Sequence, residues 1–149
     1  MKQLKFIALL FILPMLVACP AIDYKHFIRF DNNSDTDVYI YMGLWGRGNS
    51  LYPDTTIGAE VKCGVLFKKG ETRYYSYNYD YNQEHTNVLC LFIFDANVFD
   101  TCSWGEIKKD YKILRRYDLS LQDIERLDRK ISYPPTETMK NIKMYPPYE

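Results

Sequence analysis

The chain has 149 residues, with 19 Lys and Arg against 19 Asp and Glu. That length is one domain's worth, and balanced charge without a basic run argues against nucleic acid as a partner. Fourteen Tyr and eight Phe, residue types that favour strands, point to a mainly β fold, and no GxSxG, CxxC or phosphate-loop pattern announces a catalytic or nucleotide site.

The first elements are a leader. Lys2 and Lys5 precede the apolar run Phe6 to Val17, which is shorter than the roughly 20 residues a spanning helix needs. Residues 1–18 therefore read as a signal peptide. "LVAC", Leu16 to Cys19, resembles the bacterial lipobox. That resemblance implies cleavage before Cys19 and acylation of its thiol and new amino terminus, so that the partner at this end is membrane lipid. Two or more acyl chains give stable anchoring where one does not. An ordinary signal peptide, with Cys19 later in a disulfide, is the alternative. Pro20 in place of Asp favours the outer membrane by the same resemblance. Asp23 alone, in place of an acidic run, leaves the periplasmic or surface face open. Residues 19–26 read as anchor and linker, and 27–149 as a single β-rich domain with an extended tail. Without Lys2 and Lys5, 17 basic side chains stand against 19 carboxylates.

"HFIRFDN" and "DVYIYMG" are strand-like runs around "NNSDT", a hairpin signal with Phe27, Val38 and Ile40 facing inward. Asp31, Asn33, Asp35 and Asp37 alternate as ligands do in a calcium loop. Thr36 replaces the glycine and Met42 the glutamate that such a loop requires, so an Asn- and Asp-rich turn is expected, without a metal. His26 and His85 are the chain's two histidines, too few for a zinc reading without CxxC. Gly43 to Gly58 is a long loop by its Gly, Pro and Asn content. Within it "DTT", Asp54 to Thr56, resembles the acceptor pattern for O-glycosylation in the Bacteroidetes envelope, with Thr55 as acceptor. A plain turn set by Pro53 and Asp54 is the alternative.

"EVKCGVLF" predicts a third strand and "KKGE" a turn. "TRYYSYNYDYN" alternates, with Tyr75, Tyr77, Tyr79 and Tyr81 on one face and Tyr74, Ser76, Asn78, Asp80 and Asn82 on the other. The four-tyrosine face is a candidate to stack on sugar rings, or else it covers a sheet edge. "NVLCLFIFD" predicts a central strand buried on both faces. Trp104, Ile107 and Tyr111 stand at helical spacing, and "YKILRRYDL" follows as a strand. In "LSLQDIERLD", Ser120 and Asp123 form a capping pattern, and Leu119 and Ile124 a hydrophobic staple; a short amphipathic helix runs from Leu121 to about Asp128. "TETMKNIKM" predicts one or two helical turns capped by Thr136. The repeated "YPP" at Tyr133 and Tyr145 predicts an extended tail that wraps onto the domain. Of the remaining cysteines, Cys90 reads as a buried free thiol, and Cys63 and Cys102 near turns are the candidate disulfide.

The fold expected is an antiparallel β-sandwich-like domain with a short C-terminal helix, with α+β as the alternative. The C-terminal third, "RRYDLSLQDIERL" through "MKNIKMYPPY", together with "LFIFDANVF", resembles a group of small lipoproteins of Bacteroidetes. The resemblance implies the envelope address and a β-rich domain, and it carries no activity. The function expected is a non-catalytic binding or interaction module without a cofactor, its partner an envelope protein or glycan. An accessory or immunity-type lipoprotein, or a small hydrolase, is the alternative.

Overall fold

The computed structural model describes residues 27–42, 57, 62–76 and 88–149. The leader with Cys19, the linker, Thr55, and Tyr77, Tyr79 and Tyr81 lie outside the described residues. In chain order the elements are β1 (Phe27–Asn32), β2 (Val38–Met42), β3 (Val65–Phe67), β4 (Thr72–Ser76), β5 (Val88–Asp95), α1 (Ala96–Thr101), α2 (Trp104–Lys109), β6 (Arg115–Ser120), α3 (Leu121–Arg126), β7 (Lys130–Tyr133), a 3-10 turn (Glu137–Met139) and β8 (Lys143–Tyr145). They form a three-stranded sheet, β4-β1-β7, and a five-stranded sheet, β3-β2-β5-β6-β8. Every pairing is antiparallel except β1 with β7. The domain is mainly β.

The main core lies between the sheets. Ile28 and Phe30 of β1 and Ile131 of β7 meet Val38, Ile40, Leu91, Ile93 and Leu119 of the larger sheet. Tyr117 crosses the gap and donates its hydroxyl to Ser132 O at 2.8 Å, which satisfies the polar tip of a wholly buried ring. β5 is the central strand that its apolar run predicts. Leu89, Leu91 and Ile93 face the smaller sheet. Cys90, Phe92 and Phe94 face the other way, against Phe99 of α1 and Trp104 and Ile107 of α2. One strand with two dry faces thus organises three layers.

The predicted β1–β2 hairpin is corrected. Both strands exist, but they sit in different sheets, so the segment between them carries the chain across the sandwich. Lys68 to Glu71 does the same between β3 and β4, with Gly70 at φ +70° making the bend. The physical cause is Asn32, fully buried at the end of β1. Its Nδ2 donates to Thr36 O (2.9 Å), Lys68 O (3.0 Å) and Phe67 O (3.3 Å), and it ties the two crossings together. Backbone bonds Asn32 N to Glu71 O (2.8 Å) and Gly70 N to Asn32 O (2.9 Å) complete the corner.

The helix after Ser120 is present and ends at Arg126. Ser120 Oγ accepts from Asp123 N at 3.1 Å and Asp123 Oδ2 accepts from Ser120 N at 3.1 Å, and both staple residues are in the core. Ser120→Ala removes this cap and is expected to cost about 0.5–2 kcal/mol in urea unfolding; no measurable loss would contradict the role. The tail wraps as expected. Arg115 Nη1 donates to Pro146 O (2.5 Å) and Pro147 O (3.0 Å), and Tyr148 donates to Glu137 at 3.2 Å. Thr136 precedes a 3-10 turn, yet its side chain makes no capping bond; its carbonyl accepts from Met139 N at 2.8 Å.

Candidate functional site

Two polar clusters outside the main core invite a chemical reading. The first is buried on the helix-covered side of the larger sheet. Register puts Cys90 opposite Asp118 and Asp118 opposite Lys143, with Phe92, Arg116 and Tyr145 in the next row. Arg116 lies beside Asp118, with Nη2 donating to Oδ2 at 3.2 Å and Nε 2.9 Å from Oδ1. The Nε approach is off the N–H axis, so it contributes charge attraction without a formed hydrogen bond. Arg116 Nη1 donates to the Tyr111 hydroxyl at 2.8 Å, Cys90 Sγ lies 3.5 Å from Asp118 Oδ1, and Lys143 Nζ stands 4.0 Å from Oδ2.

Tyr111 reaches this place through an unusual backbone. It follows the end of α2 at φ +50°, the position where glycine ordinarily ends a helix. Tyr111 N bonds Lys108 O and Lys112 N bonds Ile107 O, the paired bonds of that motif. A non-glycine residue pays about 1–2 kcal/mol there. In return the ring lies edge-on to Tyr145, centroids 5.8 Å apart, with its hydroxyl on Arg116.

This cluster is built for structure. Burial, then the Asp118 charge, push the Cys90 thiol up to about 12, so it stays protonated and weakly nucleophilic at neutral pH. Cys63, Cys90 and Cys102 are all free. The candidate bridge between Cys63 and Cys102 is absent, for a reason of alternation. Lys62 and Gly64, on either side of Cys63, face the helices: Lys62 Nζ donates to Cys102 O at 3.0 Å, and Gly64 backs onto Phe99. Cys63 between them points to the opposite side of the chain, where it neighbours Tyr75. Native-state thiol labelling at pH 8 should therefore modify exposed Cys63 and half-buried Cys102, and reach Cys90 only in denaturant. Labelling of Cys90 as fast as Cys63 without denaturant would contradict its burial.

The acidic loop does structural work as well. Asp37 accepts from Lys69 N (2.8 Å) and Lys68 Nζ (3.0 Å), and Asp35 from Lys69 Nζ (2.9 Å). The bond from the Lys69 amide, then that from Lys68, holds Asp37 below its ordinary value. Among the described residues, no group of three or more His, Cys, Asp or Glu is placed to hold a metal.

The second cluster is open. On the outer face of the smaller sheet, β1 sits between β4 and β7, so Tyr74, Arg29 and Lys130 stand in one row, and Thr72, Asp31 and Ser132 in the next. Phe27, Arg29, Tyr74, Asp128, Arg129 and Lys130 line a pocket of about 340 Å³. A shallow groove of about 700 Å³ continues from it, sharing Asp128 and Lys130. Tyr74 is 63% exposed. Arg29 Nε donates to Asp31 at 2.9 Å, and Lys130 Nζ to Asp128 at 2.7 Å; the Lys130 bond lowers the Asp128 carboxyl below its ordinary value.

Helix α3 ends in the same way as α2. Asp128 N bonds Glu125 O (2.9 Å) and Arg129 N bonds Ile124 O (2.8 Å), with Asp128 at φ +51° and Arg129 at φ +58°. Two successive non-glycine residues in the left-handed region are uncommon. Their effect is to set Arg129 beside β1, where its carbonyl accepts from Arg29 N at 2.8 Å. The Arg129 guanidinium makes no hydrogen bond or ion pair among the described residues, and its Nε is sealed from solvent without an acceptor.

Of the four candidate tyrosines, Tyr75 is half-buried against the core, edge-on to Phe67 with centroids 6.4 Å apart. The ring open to a ligand is Tyr74, on the alternate face of the same strand. No protein-family model matches the chain, and neither does any curated protein or solved structure.

Proposed function

We propose that this chain is a lipid-anchored, non-catalytic binding module of the bacterial outer membrane that holds an envelope glycan in the pocket around Tyr74. The observation that carries the reading is an aromatic ring open to water and ringed by Arg29, Asp128, Arg129 and Lys130. A sugar offers an apolar C–H face to such a ring and hydroxyls to the charged groups around it, the combination that binding sites use for orientation. The reactive groups elsewhere favour binding over catalysis. The buried thiol is held protonated, and the carboxylate beside it is bound by Arg116.

A glycan-array screen of the acylated protein in neutral detergent tests the reading, with Tyr74→Ala expected to remove the signal. An empty array, together with enrichment of one envelope protein in a pull-down, would replace the glycan by a protein partner. The address has its own test. Cys19→Ser is expected to abolish acylation and move the protein from the membrane pellet to the soluble fraction. Retention in the pellet would overturn the anchor.

A further inference from the structure

Resting on that reading, we infer that the saccharide is acidic: its ring lies on Tyr74, and a carboxylate or sulfate group on it is seated against Arg129 and Arg29. The first ground is charge. Three cations and one carboxylate line the pocket, although acidic side chains outnumber basic ones in the chain beyond the leader. Lys130 is neutralised by Asp128 at 2.7 Å. Arg29 is held by Asp31 through Nε, and its terminal nitrogens have no partner among the described residues. The Arg129 guanidinium makes no hydrogen bond or ion pair there, and acts on the Asp128 carboxylate only through the attraction of its charge. A guanidinium that no carboxylate holds by a hydrogen bond thus lines the cavity, where the one carboxylate is already bonded to Lys130.

The second ground is fixation. The backbones of the two arginines are bonded to each other, Arg29 N to Arg129 O at 2.8 Å. The second residue of a left-handed pair, where glycine would be relaxed, carries this long cationic side chain. Strain of this kind persists where the surroundings impose it and gathers at ligand sites. Arg115 and Arg116 also bury an Nε without an acceptor, but their other guanidinium nitrogens are bonded; of the three, Arg129 alone makes no hydrogen bond through its guanidinium, and such a buried donor calls for a partner. Its planar fork fits a carboxylate or sulfate in two-pronged fashion. Neutral hydroxyls would leave the charge of Arg129 unanswered.

Calorimetric titration of the acylated protein in neutral detergent tests this. The probes are tetrasaccharides of galacturonate, hyaluronan and chondroitin sulfate, neutral galactan and cellulose tetrasaccharides, and glycerol phosphate, the soluble headgroup of an anionic lipid. At least one acidic tetrasaccharide is expected to bind, more weakly as salt is raised, and more tightly than either neutral one. Arg129→Ala should weaken it roughly 10- to 100-fold, the loss of one charge-assisted contact. Arg129→Gly should do the same while relaxing the backbone, so a loss of binding with an unchanged or raised melting temperature separates the contact from folding. Lys130→Ala should act less, because its charge is already paired.

Equal binding of a neutral tetrasaccharide with no effect of either Arg129 variant overturns the acidic ligand and leaves the glycan reading standing. Binding of no saccharide at all, with Tyr74→Ala inert in the array, overturns both. Binding of glycerol phosphate in preference to every saccharide, dependent on Arg129, overturns the saccharide in favour of a lipid headgroup.

Discussion

Asp118→Asn is expected to destabilise the domain by about 3–5 kcal/mol, because it leaves the Arg116 guanidinium buried without its counter-charge. The Arg116 and Asp118 side chains are 8% and 3% exposed, so water does not take over the lost pairing. Lys143 Nζ stands 4.0 Å from the same carboxylate and adds like charge once the carboxylate is gone. Against a typical total of about 5–15 kcal/mol, that loss brings the protein near its unfolding threshold. The pair itself need not be net stabilising, since desolvation offsets much of the attraction. The double variant Arg116→Met, Asp118→Leu is therefore expected to recover most of the single variant's loss. Urea unfolding of all three proteins at neutral pH decides it. A loss below about 1 kcal/mol for Asp118→Asn would mean the cluster is wetter than its burial implies.

That pair also shows where sequence reading stops. In "RRYDLS", Arg116 and Asp118 alternate with Tyr117 and Leu119, and the natural inference is a solvated face opposite a core face. The face is dry because β5, β8 and α2 bring Cys90, Tyr145 and Tyr111 over it, and pairing between strands distant in sequence is not encoded in any local period. The same gap explains why the expected hairpin is absent. Val38 and Ile40 face inward as expected, but on β1 the inward residues are Ile28 and Phe30, and Phe27, expected inward, lines the outer pocket; the alternation itself is the same whether β1 and β2 pair with each other or cross between sheets. Only the non-local bonds of Asn32 to Phe67 and Lys68 distinguish the two.

Local signals did better. Ser120 with Asp123, flanked by Leu119 and Ile124, places a helix because each partner lies within four residues. The unbroken apolar run of β5 places a strand buried on both faces. α1 and β7 went unseen, and Lys143 and Met144 of β8 fell in a run expected to be helical, because these elements are too short to display a period and their stability comes from tertiary partners. For the pocket, the period of two in "TRYYSYNYDYN" separated Tyr74 from Tyr75 correctly, and the choice of outer face fell to register: Ile28 opposite Tyr75 pulls that ring inward, and Arg29 opposite Tyr74 leaves the other outside. Arg129 gave no signal, since its placement depends on a left-handed helix end that arginine rarely occupies.

The corner residue gives the second large effect, and one with a pH signature. Asn32→Ala is expected to cost about 2–4 kcal/mol, because the carbonyls of Thr36, Phe67 and Lys68 lose their shared donor and a buried group left unpaired costs about 1–3 kcal/mol. Asn32→Asp keeps the shape and changes the sign of the interaction. As a carboxylate it presents lone pairs to carbonyl oxygens in a site with no solvent exposure, so its proton is held more tightly in the folded state than in the unfolded chain. A folded value raised above the unfolded one, near 4 for aspartate, means the variant is least impaired at low pH and loses stability as pH rises through the folded value. The comparison must be made with the parent at each pH, because the parent weakens in acid by the opposite logic. Asp37 is lowered by the Lys69 amide, Glu71 by Arg73 and Asp128 by Lys130, and their contributions are lost as pH falls through those lowered values. Relative to parent, the Asn32→Asp deficit in urea unfolding should grow from pH 4 to pH 7, and the Asn32→Ala deficit should stay level. A flat Asn32→Asp deficit would show that water or a cation reaches the corner, and that the two crossings are not held by a sealed amide.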